Sequence, residues 1–289
     1  MKILKWIGYA LAAVAVFTAA LFIKAYVSTE KRLSTKYNVT LPTLAIRSDS
    51  ATLKEGLRLT ISKSCRDCHN HDLGGKVWLD DPLLGVIVTP NLTKGRGGLP
   101  QDYSTTDWLR ALTHGLKRDS TPLKIMPSHE FAQLAEDEIV ALIAYCSQLK
   151  AIDRQLPQSG LGFLGYILTD LDKIPMVPAE KIDHTKGLIK DIKREVSIEF
   201  GQYLSTGCEG CHRKNMKGGA PVVPGFPEVA DITSSGNVGK WTEAQFIATL
   251  KTGLTPEGKK LNPEEMPWTA FSVYTETELK ALYKYLRSI

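Results

Sequence analysis

The sequence predicts an all-α fold, with two tandem and similar helical domains behind an N-terminal membrane helix. Three observations predict it: an uncharged apolar run near the N-terminus, helical patterns with no convincing strand, and an internal repeat. With 289 residues, 43% hydrophobic and 23% charged, the chain is long enough for two domains with real cores. The predicted boundaries are an anchor at 1–27, a linker at 28–50, a first domain at 51–150, an interdomain linker at 151–189 and a second domain at 190–289.

The apolar run covers residues 6–23, which as a helix approaches the thickness of a bilayer's hydrocarbon core. Lys2 and Lys5 precede it and Lys24 follows it. Lysines at the N-terminal flank keep that end cytoplasmic, so we expect a single-pass anchor in the cytoplasmic (inner) membrane with the folded domains on the periplasmic side. A cleaved signal peptide is the alternative. The bulky residues at 21–24 leave no good small-x-small cleavage site, which favours the anchor.

The formal net charge is +5, and the basic excess lies in the first 50 residues, around the apolar run. The rest of the chain carries basic and acidic side chains in equal number. A nucleic-acid-binding protein needs its basic excess on a folded face. The sequence therefore predicts a membrane partner and no nucleic acid.

The pattern Cys-x-x-Cys-His occurs twice, at residues 65–69 and 208–212. This is the attachment pattern of c-type haem, because two thiols on one helical turn can add to one porphyrin and the next histidine lies beneath the iron. A thioredoxin-like pair does not require that histidine, and a zinc site would need further ligands nearby. We therefore predict two covalently bound haem c groups, with Cys65, Cys68 and His69 holding one and Cys208, Cys211 and His212 holding the other.

A sixth iron ligand is predicted from the methionines. Met126 and Met266 each precede a proline, and they lie 57 and 54 residues after His69 and His212. A thioether ligand raises the reduction potential of haem iron, and the proline stiffens the ligand loop. We predict Met126 and Met266 as iron ligands. His129, three residues beyond Met126, is the rival ligand at the first iron.

An internal repeat aligns residues 108–116 with 246–254 and residues 141–145 with 281–285, at offsets of 138 and 140. Each repeat is predicted to have an opening helix before the haem motif, a middle helix and a closing helix. The middle helices begin near capping-box patterns at Ser104 and Thr242.

Other residues receive simpler interpretations. Cys146 is predicted to be a small buried hydrophobe in the closing helix and not a thiolate ligand. His114 is predicted to be a surface histidine. The charged stretch 181–199 is predicted to be a solvated helix in the interdomain connection.

With these motifs, each repeat resembles a class I cytochrome c domain, and the pair resembles a diheme cytochrome c. The Asn-Leu-Thr loop at 91–93, the Met-Pro loops and the closing Ala-Leu-x-x-Tyr helices are similar to the cytochrome subunits of membrane-bound alcohol and gluconate dehydrogenases. Those subunits typically carry three haems, whereas this chain has two motifs. The resemblance implies that Trp241 lies near a haem propionate. It also implies two axial pairs, His69 with Met126 and His212 with Met266.

The predicted function is electron transfer between a respiratory or dehydrogenase donor and an acceptor such as a terminal oxidase. Expected partners are redox proteins: a dehydrogenase, a quinol-oxidising complex or a terminal oxidase. The alternative is a diheme enzyme of the peroxidase or thiosulfate-oxidising type, in which one iron must open a coordination position. A catalytic haem would lack one Met-Pro loop, and both loops are present, so the sequence favours a carrier that is not itself an enzyme.

Overall fold

The computed structural model describes residues 2–222 and 225–289, so the first residue of the predicted anchor lies outside the described residues. The described part of the chain is mainly helical, as predicted. The helices are α1 (Lys2–Ser34), α2 (Ser50–Ser62), α3 (Cys65–His69), α4 (Thr105–His114), α5 (Ser128–Phe131), α6 (Glu136–Cys146), α7 (Phe163–Asp170), α8 (Ile198–Ser205), α9 (Glu209–His212), α10 (Asn237–Lys240), α11 (Glu243–Thr252), α12 (Trp268–Phe271) and α13 (Glu276–Ser288). The strands are β1 (Lys76–Asp81), β2 (Gly85–Thr89) and β3 (Gly160–Leu161).

The chain divides into two compact units, each assembled from three stretches. The first unit contains the N-terminal stretch through Ala45, Asp67–Ala132 and Cys146–Gly187. The second contains Ile46–Arg66, Gln133–Tyr145 and Leu188–Ile289. The predicted domains at 51–150 and 190–289 describe the repeats in the sequence, and as domains they stay a prediction.

Helix α1 is long and apolar enough to cross a membrane, and its most apolar window has a mean hydropathy of 2.1 with none of it buried. The helix continues to Ser34, past the predicted end of the anchor at 27. In this last part Ala25, Thr29 and Leu33 are buried. Their spacing of four residues places them on one face of the helix, which packs on α7.

The first unit also contains a sheet that the all-α prediction missed. Strand β1 pairs antiparallel with β2, and β2 pairs with β3. The β-branched run at 86–89 favours a strand, and the Asp81 carboxylate ends β1 by accepting the N–H groups of Leu83 and Leu84 at 2.8 Å. The expectation of no convincing strand is therefore wrong here.

The predicted interdomain connection is folded rather than a plain linker. It contains β3, α7 and a 3₁₀ turn at Pro178–Lys181, and it supplies Met176 and Val177 to a core cluster with Leu33 and Ile87. The predicted charged helix at 181–199 is wrong, because residues 182–197 form no helix. Asp183 accepts the N–H and O–H groups of Thr185, and this local turn competes with helical hydrogen bonding.

Two helix crossings in the second unit have the same construction. Gly201 of α8 lies against the carbonyl of Ala281, and Gly56 of α2 lies against the carbonyl of Ala141. A Cβ atom at either glycine would overlap that carbonyl and the Cβ of a tyrosine four residues further on, Tyr285 or Tyr145. Glycine therefore sets the distance of approach at both crossings.

Candidate haem sites

A cavity of about 370 Å³ in the second unit brings together the four residues predicted to hold the second haem. Cys208, Cys211, His212 and Met266 all line it. Loops and the helices α10, α11, α12 and α13 contribute the rest of the wall, whose apolar part includes Val238, Phe246, Leu250, Phe271, Leu282 and Leu286. A largely apolar cavity with two thiols, one imidazole and one thioether fits haem c by its donor set.

The imidazole of His212 is held in one tautomer. Its Nδ1 lies 2.8 Å from the carbonyl oxygen of Ala230. A carbonyl can only accept, so Nδ1 carries the proton and Nε2 is the nitrogen with a lone pair for iron. Burial lowers the pKa of His212, which keeps the ring neutral and able to ligate a metal.

The backbone after His212 reverses direction through residues in the left-handed region. Arg213, Met216 and Gly218 have φ angles of 66°, 58° and 63°. The N–H of Gly218 donates to the carbonyl of His212 at 3.0 Å, which closes the turn. The turn holds the histidine at the end of α9, directly after the cysteines.

The loop that carries Met266 is fixed on both sides. The N–H of Met266 donates to Asn262 O at 2.9 Å, and the N–H of Trp268 donates to Met266 O at 2.6 Å. The indole of Trp268 also donates to Leu261 O at 3.2 Å. The intervening Pro267 has a φ of −74° and precedes α12. The proline and these bonds restrict the position of the thioether.

Trp241 lines the cavity, and its Nε1 donates to the carboxylate of Glu257 at 2.8 Å. This hydrogen bond lowers the pKa of Glu257. Glu257 and Lys259 also line the cavity, and sequence reasoning missed both. The pairing joins positions 16 residues apart in irregular segments, where no periodic signal could have indicated it. The position of Trp241 beside a haem propionate stays a prediction.

The first haem motif has the same local geometry as the second. His69 Nδ1 lies 2.9 Å from Pro90 O, so here too Nε2 is the nitrogen available to iron. Burial lowers the pKa of His69. The residues one, four and six places after this histidine, Asn70, Leu73 and Gly75, have φ angles of 69°, 60° and 75°. Gly75 donates to His69 O at 2.8 Å, as Gly218 does to His212 O.

The remaining first-site residues lie as follows. Cys65, Cys68 and His69 lie on α3; Cys65 belongs to the second unit, whereas Cys68, His69 and Met126 belong to the first. Met126 is half-buried directly before Pro127 and α5, and the N–H of Ser128 donates to its carbonyl at 2.7 Å. The four residues predicted for the first haem therefore stay a prediction as a set.

The other candidate side chains have structural surroundings of their own. His129 lies on α5, and burial lowers its pKa. Cys146 is buried at the end of α6. Met216 is fully buried in the core at the position that Leu73 occupies in the first repeat, four residues after the histidine. His114 is buried and stacks on His184, so its prediction as a surface histidine is wrong.

Comparison with known proteins agrees with this geometry. Residues 198–289, which contain the cavity, match the family model of cytochrome c. This part of the chain therefore has the sequence of a cytochrome c domain.

More particularly, the chain is similar to cytochrome subunits of dehydrogenases. It is 24% identical over 262 residues to the fructose dehydrogenase cytochrome subunit of Gluconobacter japonicus, covering 82% of this chain and 52% of that protein. It is 25% identical over 277 residues to the cytochrome c subunit of the quinone-dependent alcohol dehydrogenase of Gluconobacter oxydans, covering 84% and 55%. A gluconate 2-dehydrogenase cytochrome c subunit of Pantoea cypripedii matches at 26% over 110 residues, covering 34% and 24%. The chain spans about half the length of the first two relatives.

Proposed function

We propose that this chain is a membrane-anchored diheme cytochrome c that carries electrons for a membrane-bound dehydrogenase. The observation that carries the proposal is the cavity in which Cys208, Cys211, His212 and Met266 line one apolar space. Haem c bound there supplies a one-electron couple between two oxidation states of its iron. His212 Nε2 and the Met266 thioether would both ligate the iron, which would suit electron transfer and leave the iron no open position for a substrate.

The proposal of a haem at the first motif, residues 65–69, rests on the duplicated local structure. Both Cys-x-x-Cys-His motifs end in a histidine whose Nδ1–H donates to a carbonyl, and both continue through left-handed residues at the same three positions. The middle helices both begin with capping boxes, at Ser104 and Thr242, and both end in a left-handed glycine. These matches support two tandem cytochrome c domains at 51–150 and 190–289.

The proposed partner is a dehydrogenase, because the relatives are subunits of fructose, alcohol and gluconate dehydrogenases. The dehydrogenase, or alternatively a quinol-oxidising complex, would donate electrons, and a terminal oxidase in the same membrane would accept them. The carrier would be held in the cytoplasmic (inner) membrane by α1, with both haem domains on the periplasmic side. Burial of Ala25, Thr29 and Leu33 supports retention of α1 over its cleavage as a signal peptide.

Counting the haems tests the proposal directly. Intact-mass measurement of protein from a host that matures c-type cytochromes should show two covalent haems. The double variants Cys65→Ser/Cys68→Ser and Cys208→Ser/Cys211→Ser should each carry one. Cys146→Ser is the matched control and should keep both. A wild-type mass with one haem would reject the diheme proposal while leaving the second site in place.

Axial ligation is tested by the methionine variants. Met126→Ala and Met266→Ala should each remove about half of the near-infrared band that methionine-to-iron ligation gives in the ferric protein. Each variant should also gain binding of carbon monoxide in the ferrous state. Met216→Leu is the control: it introduces the leucine that the first repeat has at the equivalent core position, Leu73, and it should keep the full band. Peroxide turnover by the wild type would favour the enzyme alternative. An unchanged band in the Met126→Ala variant would favour His129 as the ligand.

A further inference from the structure

In the first unit, the part of α1 that follows the apolar run packs along α7. The ring of Phe22 stacks on Phe163 with a centroid separation of 4.9 Å, and Tyr26 lies 5.0 Å from Tyr166. Further along, Arg32 Nη1 donates to Thr169 O at 2.8 Å. Later residues of α1 thus contact later residues of α7. The two helices run in the same direction, and Phe163 lies at the end of α7 that is nearest the apolar run.

The position of Phe22 gives the depth of this contact. Phe22 lies inside the uncharged run, two residues before Lys24, which is the first charge after it. Lys24 Nζ forms a 2.6 Å ion pair with Asp170 and keeps a side chain that is 68% exposed, as a lysine at a membrane surface does. A helix rises only about 1.5 Å per residue, so Phe22 and the ring stacked on it lie close to the boundary of the hydrocarbon core.

Two large apolar side chains are exposed at this end of α7. Phe163 is 49% exposed and Leu83, in the turn between β1 and β2, is 58% exposed. The N–H of Leu164 donates to Leu83 O at 2.9 Å, which fixes the turn beside the start of α7. Exposed apolar side chains that adjoin one another mark a surface used for contact with another phase or molecule.

We propose that the β1–β2 turn and the first turn of α7 insert into the outer leaflet of the membrane, with Leu83 and Phe163 facing lipid. The inference rests on the proposed anchoring by α1. Lipid is the occupant because a bilayer surrounds α1 at the depth of Phe22, and this face is continuous with α1 at that depth. The insertion would hold the first unit at the membrane surface by two contacts in addition to the spanning helix.

Lipid photolabelling of the full holoprotein tests this face. The protein is placed in phosphatidylcholine vesicles that contain a phosphatidylcholine with a diazirine in its acyl chain, and labelled peptides are mapped by mass spectrometry. We expect label on residues 6–23, and comparable label on the peptides that contain Leu83 and Phe163. The loop at 117–121 should stay at background. It contacts Tyr37, well beyond the apolar run, through the N–H of Tyr37 and Ser120 O at 3.1 Å.

A double variant and its control sharpen the test. Leu83→Asp/Phe163→Asp should lose label around both positions and keep it on residues 6–23, with unchanged haem spectra. Leu254→Asp changes another exposed leucine, in the second unit, and should leave the labelling of α7 unchanged.

The outcomes separate the two proposals. Label on residues 6–23 with background on α7 overturns the lipid-facing surface and keeps the anchor. Background labelling on residues 6–23 and on the peptides that contain Leu83 and Phe163 overturns both the lipid-facing surface and the anchor. Label on α7 in vesicles that is lost in native membranes, where a partner subunit is present, assigns the face to that partner and overturns the lipid proposal.

Discussion

The two repeats agree around their Cys-x-x-Cys-His motifs and differ at the end of the middle helix. In both repeats a left-handed glycine ends that helix, Gly115 or Gly253, and the next residue is a leucine. Leu116 is completely buried, whereas Leu254 is 51% exposed. Local backbone structure therefore determines the part of each site that contains the Cys-x-x-Cys-His motif. The part that contains the methionine, which follows the middle helix, depends on which other segments of the chain pack against it.

In the first unit, the segment after α7 covers this side. The N–H of Ile125, directly before Met126, donates to Met176 O at 3.0 Å, and His114 Nδ1 lies 2.9 Å from His184 Nδ1. Ile125 has a φ of 58°, which is costly for a β-branched residue and is held by these surroundings. In the second unit, Leu254 stays exposed in the described structure. We therefore expect a redox partner to dock on the second repeat, beside Leu254.

The largest expected effect tests what the repeats share. Gly56→Ala and Gly201→Ala should each lower the free energy of unfolding by about 2–4 kcal/mol, because the new Cβ overlaps a carbonyl in a close helix crossing. Gly207→Ala is the control, since a Cβ there meets nothing within 4 Å. Denaturant unfolding of the holoprotein measures all three. A loss at only one crossing would show that the crossings differ in spite of their similar geometry.

The next effect tests what distinguishes the repeats. Leu116→Ala should cost about 2–4 kcal/mol, because a fully buried side chain leaves a cavity. Leu254→Ala should stay within about 0.5 kcal/mol, as is usual for an exposed position. The same denaturant unfolding curves give both values. Equal losses would mean that Leu254 is covered in solution, and the expected docking of a redox partner beside it would then be wrong.

A pH effect is expected from the histidine pair of the first unit. Burial lowers the pKa of His114 to about 4, from an ordinary value of 6.5, and it also lowers the pKa of His184. The unfolded chain protonates these imidazoles near pH 6.5, whereas in the folded chain His114 is protonated only near pH 4 and His184 only below its ordinary pKa. The free energy of unfolding should therefore be constant above about pH 7 and fall by on the order of 2 kcal/mol between those values.

The variant His114→Thr places the residue of the second repeat, Thr252, at this position. We expect its unfolding free energy, measured by denaturant at pH 7.5, 6 and 4.5, to depend less on pH than that of the wild type. A slope identical to the wild type would assign the pH dependence to other groups.

The smallest effect should be equal in the two repeats. Ser104 accepts the N–H of Asp107, and Thr242 accepts the N–H of Gln245, in complete capping boxes. Ser104→Ala and Thr242→Ala should each cost about 1 kcal/mol in thermal or denaturant unfolding. A much larger loss in one of them would show that its middle helix depends more on local structure than on packing.

The features that the sequence predicted correctly depend on short spacings. The helix starts at Ser104 and Thr242 follow from capping groups three residues apart. Cys208, Cys211 and His212 were predicted from one helical turn and Met266 from comparison with the other repeat; the four line one cavity, and their role in holding haem stays a prediction. Each of these signals lies within a few residues or is repeated in the chain.

The features that sequence reasoning missed depend on contacts between distant segments. His114 pairs with His184, 70 residues away, and Trp241, before α11, pairs with Glu257, after it. The β1–β2 hairpin had a local signal in the Val-Ile-Val-Thr run at 86–89, but the helical pattern around it outweighed that signal. The stretch 181–199 was predicted from charge alone, and charge without an apolar stripe does not determine a helix.

The hydrogen bond from Ile125 to Met176 also limits how the protein can be divided. A fragment that ends after Lys150 would contain the first haem motif and Met126 but lack the carbonyl that holds the preceding residue. It would also lack Met176 and Val177, half of the buried cluster around Leu33. Residues 198–289 match the cytochrome c family model, but their compact unit also contains Ile46–Arg66 and Gln133–Tyr145. Neither repeat, cut out on its own, would keep the whole of its compact unit.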